Sequence, residues 1–347
     1  MQGPSAVMSI NWNRFCEIIN SHQTFLLSSH VRPDCDALGS ELGMAGILTS
    51  LGKQVTIVNG DAVPPNLAFI DPEQCILQLG EDIQPADLVD FEVMMVLDTS
   101  SWAQLGPMGD ILRSAGGIKM VLDHHVGEDD LGAELFKNTT AEATGRLVVE
   151  AGGELGVPLT AKIAVPLFAA QATDTGWYRF QSTTGDALRI AAQLVDAGAV
   201  PQDLYASLYE QETLGRLRLR GLILAKTTTE LDGLLAYTYV EQRDFDQAGA
   251  LQSDTEDVIN QLLAVSGVKV AVILVEQKTG GFKISFRSRC KVDCSRVAAH
   301  FGGGGHKAAA GAFVEGSLHQ AQNKVLNEVR KAVLLDSTLS PCNDMPH

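Results

Sequence analysis

Acidic and histidine side chains follow three apolar runs that we predict to be strands. The predicted strands are 25–27, 93–97 and 118–122, and the side chains after them are His30, Asp34 and Asp36, then Asp98, then Asp123, His124 and His125. In open α/β sheets the ligand crevice lies outside the carboxyl ends of the strands. We therefore expect these side chains to meet at one edge of a sheet.

These residue types are typical ligands of hard divalent cations. Carboxylates with one or two imidazoles suit octahedral ions such as Mn²⁺ and Mg²⁺. With Asp174, which follows a predicted apolar helix over 161–172, the candidate ligands are His30, Asp34, Asp36, Asp98, His124 and Asp174. Two ions about 3.5–4 Å apart would generate a hydroxide nucleophile and clamp the attacked group. The spacing therefore predicts metal-dependent phosphoester hydrolysis.

Each carboxylate also has a simpler interpretation. An aspartate after a strand is often only a helix N-cap, and Asp36, which precedes a predicted helix over 37–51, could be one. Four clustered carboxylates without cations would be unfavourable by several kcal/mol, however. The clustering as a whole therefore favours a metal site.

The elements that must position these residues indicate two α/β domains. Partly β-branched apolar runs separated by helices predict an N-terminal, mostly parallel sheet that is flanked by helices and buried on both faces. Its strands are predicted at 25–27, 54–58, 93–97 and 118–122, and its helices at 37–51, 161–172 and 184–197. A smaller C-terminal mixed-sheet α/β domain follows, with strands at 234–240, 268–276 and 281–289 and helices at 255–265 and 317–335.

The domain bounds follow from this change of pattern. We assign 1–200 to the metal-binding catalytic domain, 226–336 to the second domain and 337–347 to a flexible tail. Residues 201–225 are assigned to a linker helix, because 203–224 reads as one long amphipathic helix. We expect the active site to lie in the cleft between the two domains.

Composition and charge exclude several classes of protein. The chain has 347 residues, and 45% of them are hydrophobic, a composition that excludes wholesale disorder. No apolar run is long enough for a membrane span. Its 26 basic and 42 acidic residues give a net charge of −16, which argues against binding long duplex nucleic acid. Six cysteines are too few for a disulfide framework, so we expect a cytoplasmic protein. Cys290 and Cys294, near His300 and His306, are interpreted as reduced thiols rather than a zinc site.

The motifs resemble those of the DHH phosphoesterase superfamily. Residues 30–40 (HVRPDCDALGS) are similar to its first motif, 96–100 (VLDTS) to its second and 172–176 (ATDTG) to its fourth, and Asp123-His124-His125 is the motif that names it. Residues 285–288 and 302–311 resemble the DHH-associated C-terminal domain. The resemblance covers about 20–335, and within the superfamily it favours the compact branch of nanoRNases and 3′-phosphoadenosine 5′-phosphate phosphatases. Cys35 departs from the pattern, since glycine is common between the two aspartates.

The resemblance implies a role for each catalytic-domain residue. His30, Asp34 and Asp98 would hold one metal. Asp36, His124 and Asp174 would hold the second metal, and Asp98 would bridge the two metals. His125 would bind the scissile phosphate and serve as the acid for the leaving oxygen, and Asp123 would orient an imidazole.

The second domain is predicted to bind the substrate. The glycine run 302–305 precedes His306 and the helix-prone residues 307–310, which would offer backbone amides and a helix N-terminus to an anion. Arg287 can grip a phosphate through two parallel hydrogen bonds. The predicted substrate-binding residues are Arg287, Ser288, Gly303, Gly304, Gly305 and His306.

By resemblance, the substrates are short oligoribonucleotides of about two to five nucleotides and 3′-phosphoadenosine 5′-phosphate. The nucleophile would be a hydroxide bound to two divalent metals, with Mn²⁺ favoured over Mg²⁺ or Co²⁺. One alternative is a phosphodiesterase of linear or cyclic di-adenylate signals. Another is a non-catalytic nucleotide-sensing module, which would require a broken ligand set, and none of the six ligand positions is lost. A homodimer is possible, but the sequence does not decide it.

Overall fold

The fold is described by a computed structural model over residues 10–88, 91–127 and 129–336. The chain divides into two units between Gln211 and Glu212. The predicted tail, 337–347, lies outside the described residues. The predicted domain bounds and the predicted cleft between the domains stay predictions.

The first unit contains a six-stranded sheet. Its strands are β1 (Thr24–Ser28), β2 (Gln54–Asn59), β3 (Ile76–Gln78), β4 (Val93–Leu97), β5 (Ile118–Asp123) and β6 (Glu134–Lys137). All of these strands pair in parallel, in the order β3-β2-β1-β4-β5-β6. The order reverses between β1 and β4, which is where α/β sheets open a crevice for ligands.

Helices connect and cover these strands. They are α1 (Trp12–Ser21), α2 (Cys35–Ser50), α3 (Trp102–Leu105), α4 (Met108–Ser114), α5 (Thr144–Glu154), α6 (Ala161–Asp174), α7 (Gly185–Asp196) and α8 (Pro201–Tyr209), with short 3₁₀ turns at Pro65–Ile70 and Pro85–Asp87. None of the helices in the described residues of the chain is long and apolar enough to cross a lipid bilayer.

Both faces of this sheet are buried. Alternate residues of a strand point to opposite faces. Phe25 and Leu27 of β1 belong to an apolar layer shared with α2, α5 and α6, whereas Leu26 belongs to a second layer shared with α3 and α4. The predicted parallel sheet, flanked by helices and buried on both faces, is therefore confirmed.

Close packing of α2 against α6 brings together two segments that are distant in sequence. A Cβ atom on Gly39 would lie 2.4 Å from the carbonyl oxygen of Pro166, and one on Gly43 would lie 2.4 Å from the side chain of Leu167. Only glycine permits this approach. A Cβ atom on Gly46 would lie 2.8 Å from Ile163, and one on Gly39 would also lie 2.8 Å from the Cβ of Ala170, so the start of α2 lies beside the end of α6.

The second unit contains a mixed sheet. Its strands are β7 (Thr228–Glu230), β8 (Leu235–Val240), β9 (Val270–Glu276), β10 (Phe282–Ser288), β11 (Gly304–Gly305) and β12 (Ala309–Val314), in the order β11-β12-β10-β9-β8-β7. The β8–β9 pair is parallel and the other pairs are antiparallel. The helices are α9 (Leu214–Ala225), α10 (Gln242–Ala248), α11 (Val258–Leu263), α12 (Cys294–Ala299) and α13 (Leu318–Leu335), with a 3₁₀ turn at Gln252–Thr255. The predicted smaller mixed sheet is confirmed.

Two predicted helices are wrong. The single helix over 203–224 is two helices, α8 and α9, because Thr213 caps the second one by accepting a hydrogen bond from the Arg216 amide. The helix-prone residues 307–310 instead lead into β12, where Ala309 and Ala310 pair with β10. Sheet pairing overrides the helix propensity of alanine here.

Candidate metal centre

Asp98 lies at the centre of the site. It directly follows β4, is buried, and has a φ of 62°, in the left-handed region that aspartate tolerates better than most residues. Its Oδ2 lies 3.4 Å from His30 Nε2, and its Oδ1 lies 3.6 Å from His124 Nε2. One carboxylate therefore faces both imidazoles, as a bridging ligand would.

His30, Asp34 and Asp98 form one group of potential ligands, whose donor atoms lie within 4.8 Å of one another. The Nδ1 of His30 donates to the Val31 carbonyl at 3.0 Å, which leaves Nε2 to face the site. Asp34 is the N-cap of α2, since its Oδ1 accepts hydrogen bonds from the Asp36 and Ala37 amides. The cap is thus Asp34, and the interpretation of Asp36 as an N-cap is wrong.

Asp36, His124 and Asp174 form a second group at the junction of α2 and α6. The Nε2 of His124 lies 3.7 Å from Asp36 Oδ2 and 3.6 Å from Asp174 Oδ2. Its Nδ1 donates to the Ala141 carbonyl at 3.2 Å, so this imidazole also presents Nε2. The structure therefore brings all six candidate ligands together in two groups.

The N-terminus of α5 holds two of the carboxylates. The amides of Thr144 and Gly145 donate to Asp36 at 2.8 and 2.9 Å, and the Thr144 hydroxyl donates to Asp98 Oδ1 at 2.9 Å. The positive end of a helix dipole stabilises nearby negative charge. Thr144, which carried no sequence signal, therefore orients Asp36 and Asp98.

The clustered carboxylates carry uncompensated charge. Burial raises the pKa of Asp36. Burial, together with the charges of Asp36 and Asp34, raises the pKa of Asp98 well above its usual range. The pKa of Asp174 is raised to about 6 by burial and by Asp36. Bound cations would remove this repulsion, so the donor set fits a pair of divalent metal ions.

His125 is engaged differently from the other two imidazoles. Its Nδ1 donates to Asp123 Oδ1 at 2.8 Å, and its backbone amide donates to the same oxygen at 3.0 Å. Distance alone would group His125 with Asp98 and His124 as a ligand. The His125 nitrogen that lies 3.7 Å from Asp98 Oδ1 is this Nδ1, which already donates to Asp123, whereas His30 and His124 turn Nε2 toward Asp98. The hydrogen bond that His125 donates to the Asp123 carboxylate raises the pKa of His125.

Asp123 is fully buried and is supported by two residues that the sequence analysis did not single out. Its Oδ2 accepts from Ser100 Oγ at 2.7 Å and lies 3.2 Å from the Nζ of Lys137. Burial alone would raise the pKa of Asp123, but the hydrogen bonds from His125 and Ser100 lower it to about 2. Ser100 lies in the second motif, whereas nothing in the sequence around Lys137 pointed to a role.

A cavity of about 830 Å³ opens on one side of the centre. It is lined by His30, Asp34, Asp98 and His125, and also by the exposed side chain of Arg32. Ligand-binding cavities are commonly about 300–1,000 Å³. This one is large enough to take a nucleotide.

Cys35, the departure from the first motif, is buried and belongs to the apolar core of the first unit. Burial raises the pKa of its thiol to about 12, so the thiol is protonated at neutral pH. Cys290 and Cys294 do not belong to the potential metal-binding groups found among the described residues.

The predicted substrate-binding residues of the second unit lie along β10 and the β11–β12 turn. Arg287 is half-buried, and its Nη1 donates to the Phe286 carbonyl. Ser288 is buried, and its hydroxyl accepts from the Cys290 amide at 3.2 Å, so it stabilises a turn. Its assignment as a substrate ligand stays a prediction.

The glycine run forms a tight hairpin instead of preceding a helix. A Cβ atom on Gly303 would lie 2.2 Å from the Gly311 carbonyl oxygen, and Gly305 has a φ of 142°. The amide of His306 donates to the Ala309 carbonyl at 2.7 Å, and its side chain is exposed. The predicted helix N-terminus is therefore wrong, although Gly304, Gly305 and His306 are exposed as a ligand site requires.

Comparison with known families identifies the chain. Residues 24–170 match the DHH family N-terminal domain, and residues 232–334 match the DHHA1 domain. The chain belongs to the DHH family. The resemblance seen in the sequence motifs is therefore confirmed, and this DHH protein is a metal-dependent hydrolase of phosphoester bonds.

Relatives resemble this DHH protein over most of its length. It is 33% identical to the bifunctional oligoribonuclease and PAP phosphatase NrnA of Thermus thermophilus, over 88% of this chain and 89% of that protein. The NrnA of Bacillus subtilis is 28% identical, over 85% of this chain and 91% of that protein. An exopolyphosphatase-related protein of Bacteroides fragilis shares the fold, with a TM-score of 0.77 and 26% identity over 93% of this chain and 97% of that one.

Proposed function

We propose that this protein hydrolyses short oligoribonucleotides to mononucleotides and removes the 3′-phosphate of 3′-phosphoadenosine 5′-phosphate. The observation that carries the proposal is a complete ligand set around Asp98 in a chain that aligns with NrnA relatives along nearly their full length. Those relatives are named as acting on oligoribonucleotides and PAP. We further propose that the protein acts in the cytoplasm.

Six side chains would hold the metals. His30, Asp34 and Asp98 would hold one ion. Asp36, His124 and Asp174 would hold the other, which Asp98 would share. When bound, two divalent cations activate water and neutralise charge on the attacked phosphate. We propose Mn²⁺ as the ion, with Mg²⁺ or Co²⁺ as alternatives, because carboxylates and imidazoles suit these metals.

His125 would act as the acid for the leaving oxygen. Asp123 holds its Nδ1–H, so Nε2 is the nitrogen that transfers a proton. The raised pKa of His125 keeps more of the imidazole protonated at neutral pH, as a general acid requires. The Asp123 carboxylate stabilises this protonated form and fixes the ring.

The second unit would bind the part of the substrate that does not react. Arg287 would pair with a phosphate, and the glycine backbone of 303–305 and the exposed His306 side chain would contact the terminal nucleotide. Ser288 would contribute by shaping the turn after β10. These contacts suit a short substrate, because the net charge of −16 repels a long polyanion away from the metals.

The test compares an RNA dinucleotide, an RNA of roughly twenty nucleotides and 3′-phosphoadenosine 5′-phosphate, each with Mn²⁺ or a chelator. We expect rapid Mn²⁺-dependent loss of the dinucleotide and of the 3′-phosphate, with the long RNA nearly intact. Asp98→Asn should abolish both reactions. Asp110→Asn, the same change at an exposed aspartate that pairs with Arg113, should not.

Three outcomes would contradict the proposal. Equal turnover of the long RNA would exclude a short-substrate enzyme. Stability of all three substrates in Mn²⁺ would exclude the proposed substrates, and linear and cyclic di-adenylates would then be tested. A chelator-resistant activity that survives Asp98→Asn would show that hydrolysis does not use this centre.

A further inference from the structure

Three aromatic side chains form a partly exposed cluster on the first unit, in which Trp177 also packs against the apolar core. Trp177 follows α6, and Tyr205 and Tyr209 lie one turn apart on α8. Their ring centroids are 5.0 Å apart for Trp177 and Tyr205, 5.7 Å for Trp177 and Tyr209, and 5.0 Å for the two tyrosines. Tyr205 is 40% exposed and Tyr209 is 44% exposed, so the cluster, which we call the aromatic platform, faces solvent.

The platform borders a cavity of about 340 Å³. Trp177 and Tyr205 line this cavity together with Pro201, Gln202 and Glu210. The walls therefore combine two aromatic rings and a proline with one amide and one carboxylate. Such a mixture suits a flat aromatic ligand whose edge carries hydrogen-bond donors.

The backbone that presents Trp177 is strained. Gly176, Trp177 and Tyr178 have φ values of 56°, 58° and 61°. The left-handed region is common for glycine, but a bulky aromatic residue there is a genuine outlier. The Trp177 amide donates to the Ala172 carbonyl at 2.6 Å, and the Tyr178 amide donates to Thr175 Oγ1 at 3.1 Å. Strained backbone of this kind persists where the structure enforces it and is concentrated at ligand sites.

The platform lies close to the metal centre along the chain. Trp177 is three residues after Asp174, so their Cα atoms are at most about 11 Å apart. A phosphate ester at the centre would therefore have the platform beside it.

We propose that the aromatic platform is a nucleobase-binding subsite of the catalytic unit, which stacks one base of the substrate while its phosphate lies at the metal centre. The inference rests on the proposed function for the identity of the substrate. Aromatic side chains stack on bases with little regard to sequence, because every base has a π face. Gln202 and Glu210 then meet the edge of the base, where the carboxylate accepts from an amino group.

The test measures binding separately from turnover. Kd values for AMP and for ribose 5-phosphate, which lacks the base, are measured by calorimetry in Mn²⁺. The protein is the wild type, Tyr205→Leu/Tyr209→Leu, or the control Tyr205→Phe/Tyr209→Phe, which keeps both rings. Because stacking contributes about 1–3 kcal/mol per base, the leucine variant should bind AMP roughly five- to hundredfold more weakly. Its affinity for ribose 5-phosphate should not change, and the phenylalanine variant should match the wild type.

Each outcome decides the proposal. A wild type that does not prefer AMP over ribose 5-phosphate, or a leucine variant that keeps the preference, overturns it. An equal loss of affinity for AMP and for ribose 5-phosphate also overturns it, because it would show that the tyrosines only support the metal centre. Thermal unfolding confirms that the variants are folded. These readouts are independent of hydrolysis of the dinucleotide and of 3′-phosphoadenosine 5′-phosphate, so loss of the subsite is distinguishable from failure of the proposed function.

Discussion

Lys137 is a buried cation placed against the carboxylate that holds His125. Its Nζ lies 3.2 Å from Asp123 Oδ2 and donates to Ser100 Oγ at 2.6 Å, and its side chain is only 6% exposed. Replacing it with methionine would leave the buried Asp123 carboxylate without its lysine, with His125 and Ser100 as the remaining donors. We expect Lys137→Met to lower the free energy of unfolding by about 3–5 kcal/mol, as measured by urea denaturation.

The same variant should also lower kcat more than it changes KM, because His125 would lose its fixed orientation. Lys137→Arg, which keeps the charge, should restore part of both losses. Lys162→Met removes an exposed lysine paired with Glu73 and should change stability by less than about 1 kcal/mol. Equal effects of the two methionine variants would contradict a role for Lys137 in supporting Asp123.

Glu41 is a fully buried carboxyl outside the metal-binding groups. Its Oε2 accepts from Asn59 Nδ2 at 2.9 Å, and its Oε1 has no hydrogen-bond partner among the described residues. Burial, with a smaller effect of Asp71, raises the pKa of Glu41 from 4.5 to about 8. The folded protein therefore keeps this carboxyl protonated at a pH where the unfolded chain has already lost the proton.

This difference predicts a falling stability as the pH rises. Between about pH 4.5 and 8 the folded state binds the extra proton, so Glu41 would lower the free energy of unfolding by about 4–5 kcal/mol across that window. Glu41→Gln cannot ionise and should remove this part of the slope, as measured by urea denaturation at intervals of one pH unit. Asp36, Asp98 and Asp174 also have raised pKa values, and their contribution remains in the variant. Parallel slopes for wild type and variant would show that Glu41 is ionised in the fold.

At the scale of elements, the contact between α2 and α6 places Asp36, at the start of α2, beside Asp174, at the end of α6. A Cβ atom on Gly39 would lie 2.4 Å from the Pro166 carbonyl oxygen and 2.8 Å from the Cβ of Ala170, so Gly39→Ala must push the helices apart. We expect a loss of about 1–3 kcal/mol of stability and weaker Mn²⁺ binding, measured by denaturation and by metal titration.

Gly221 offers a matched control for this substitution. It lies inside α9, and a Cβ atom there would meet nothing within 4 Å. Gly221→Ala should stabilise the protein by about 0.5–1 kcal/mol through helix propensity alone, with Mn²⁺ affinity unchanged. If both alanine variants gained stability, the close approach of α2 and α6 would not be a constraint.

The central elements were predictable because their signals are local. β4 and β5 are apolar runs, and β4 has the predicted bounds, while β5 extends one residue beyond them. β3 and β6 have only three and four residues, and their polar members gave no strand signal. β12 was missed for a different reason: alanine favours helices in isolation, and only the pairing with β10 fixes it as a strand.

The residues of the site also divide into those with a local sequence signal and those without one. The six candidate ligands and His125 could be named from motif and strand position, and the structure brings them together. Lys137, Thr144 and the aromatic platform could not, because their importance depends on distances between segments far apart in the sequence. The N-cap role of Asp34 in α2 could have been predicted, because an N-cap side chain accepts hydrogen bonds from the second and third amides that follow it.

At the scale of the whole molecule, the net charge of −16 bears on the choice of substrate. A long RNA carries many phosphates outside the metal centre, and these are repelled by the acidic surface, whereas a dinucleotide has almost none. Salt screens this repulsion, since the Debye length falls from about 30 Å at 0.01 M to about 8 Å at 0.15 M. Raising the salt concentration should therefore increase kcat/KM for an RNA of roughly twenty nucleotides relative to that for a dinucleotide.

The ratio of the two kcat/KM values is the quantity to measure, because any effect of salt on metal binding is common to both substrates. An electrostatic preference for short RNA predicts that the ratio of long to short rises several-fold between about 0.01 and 0.15 M KCl at saturating Mn²⁺. A ratio that does not change would mean that the preference is steric and is set by the size of the substrate site. A ratio that falls would indicate that a local basic surface attracts long RNA, against the sign of the net charge.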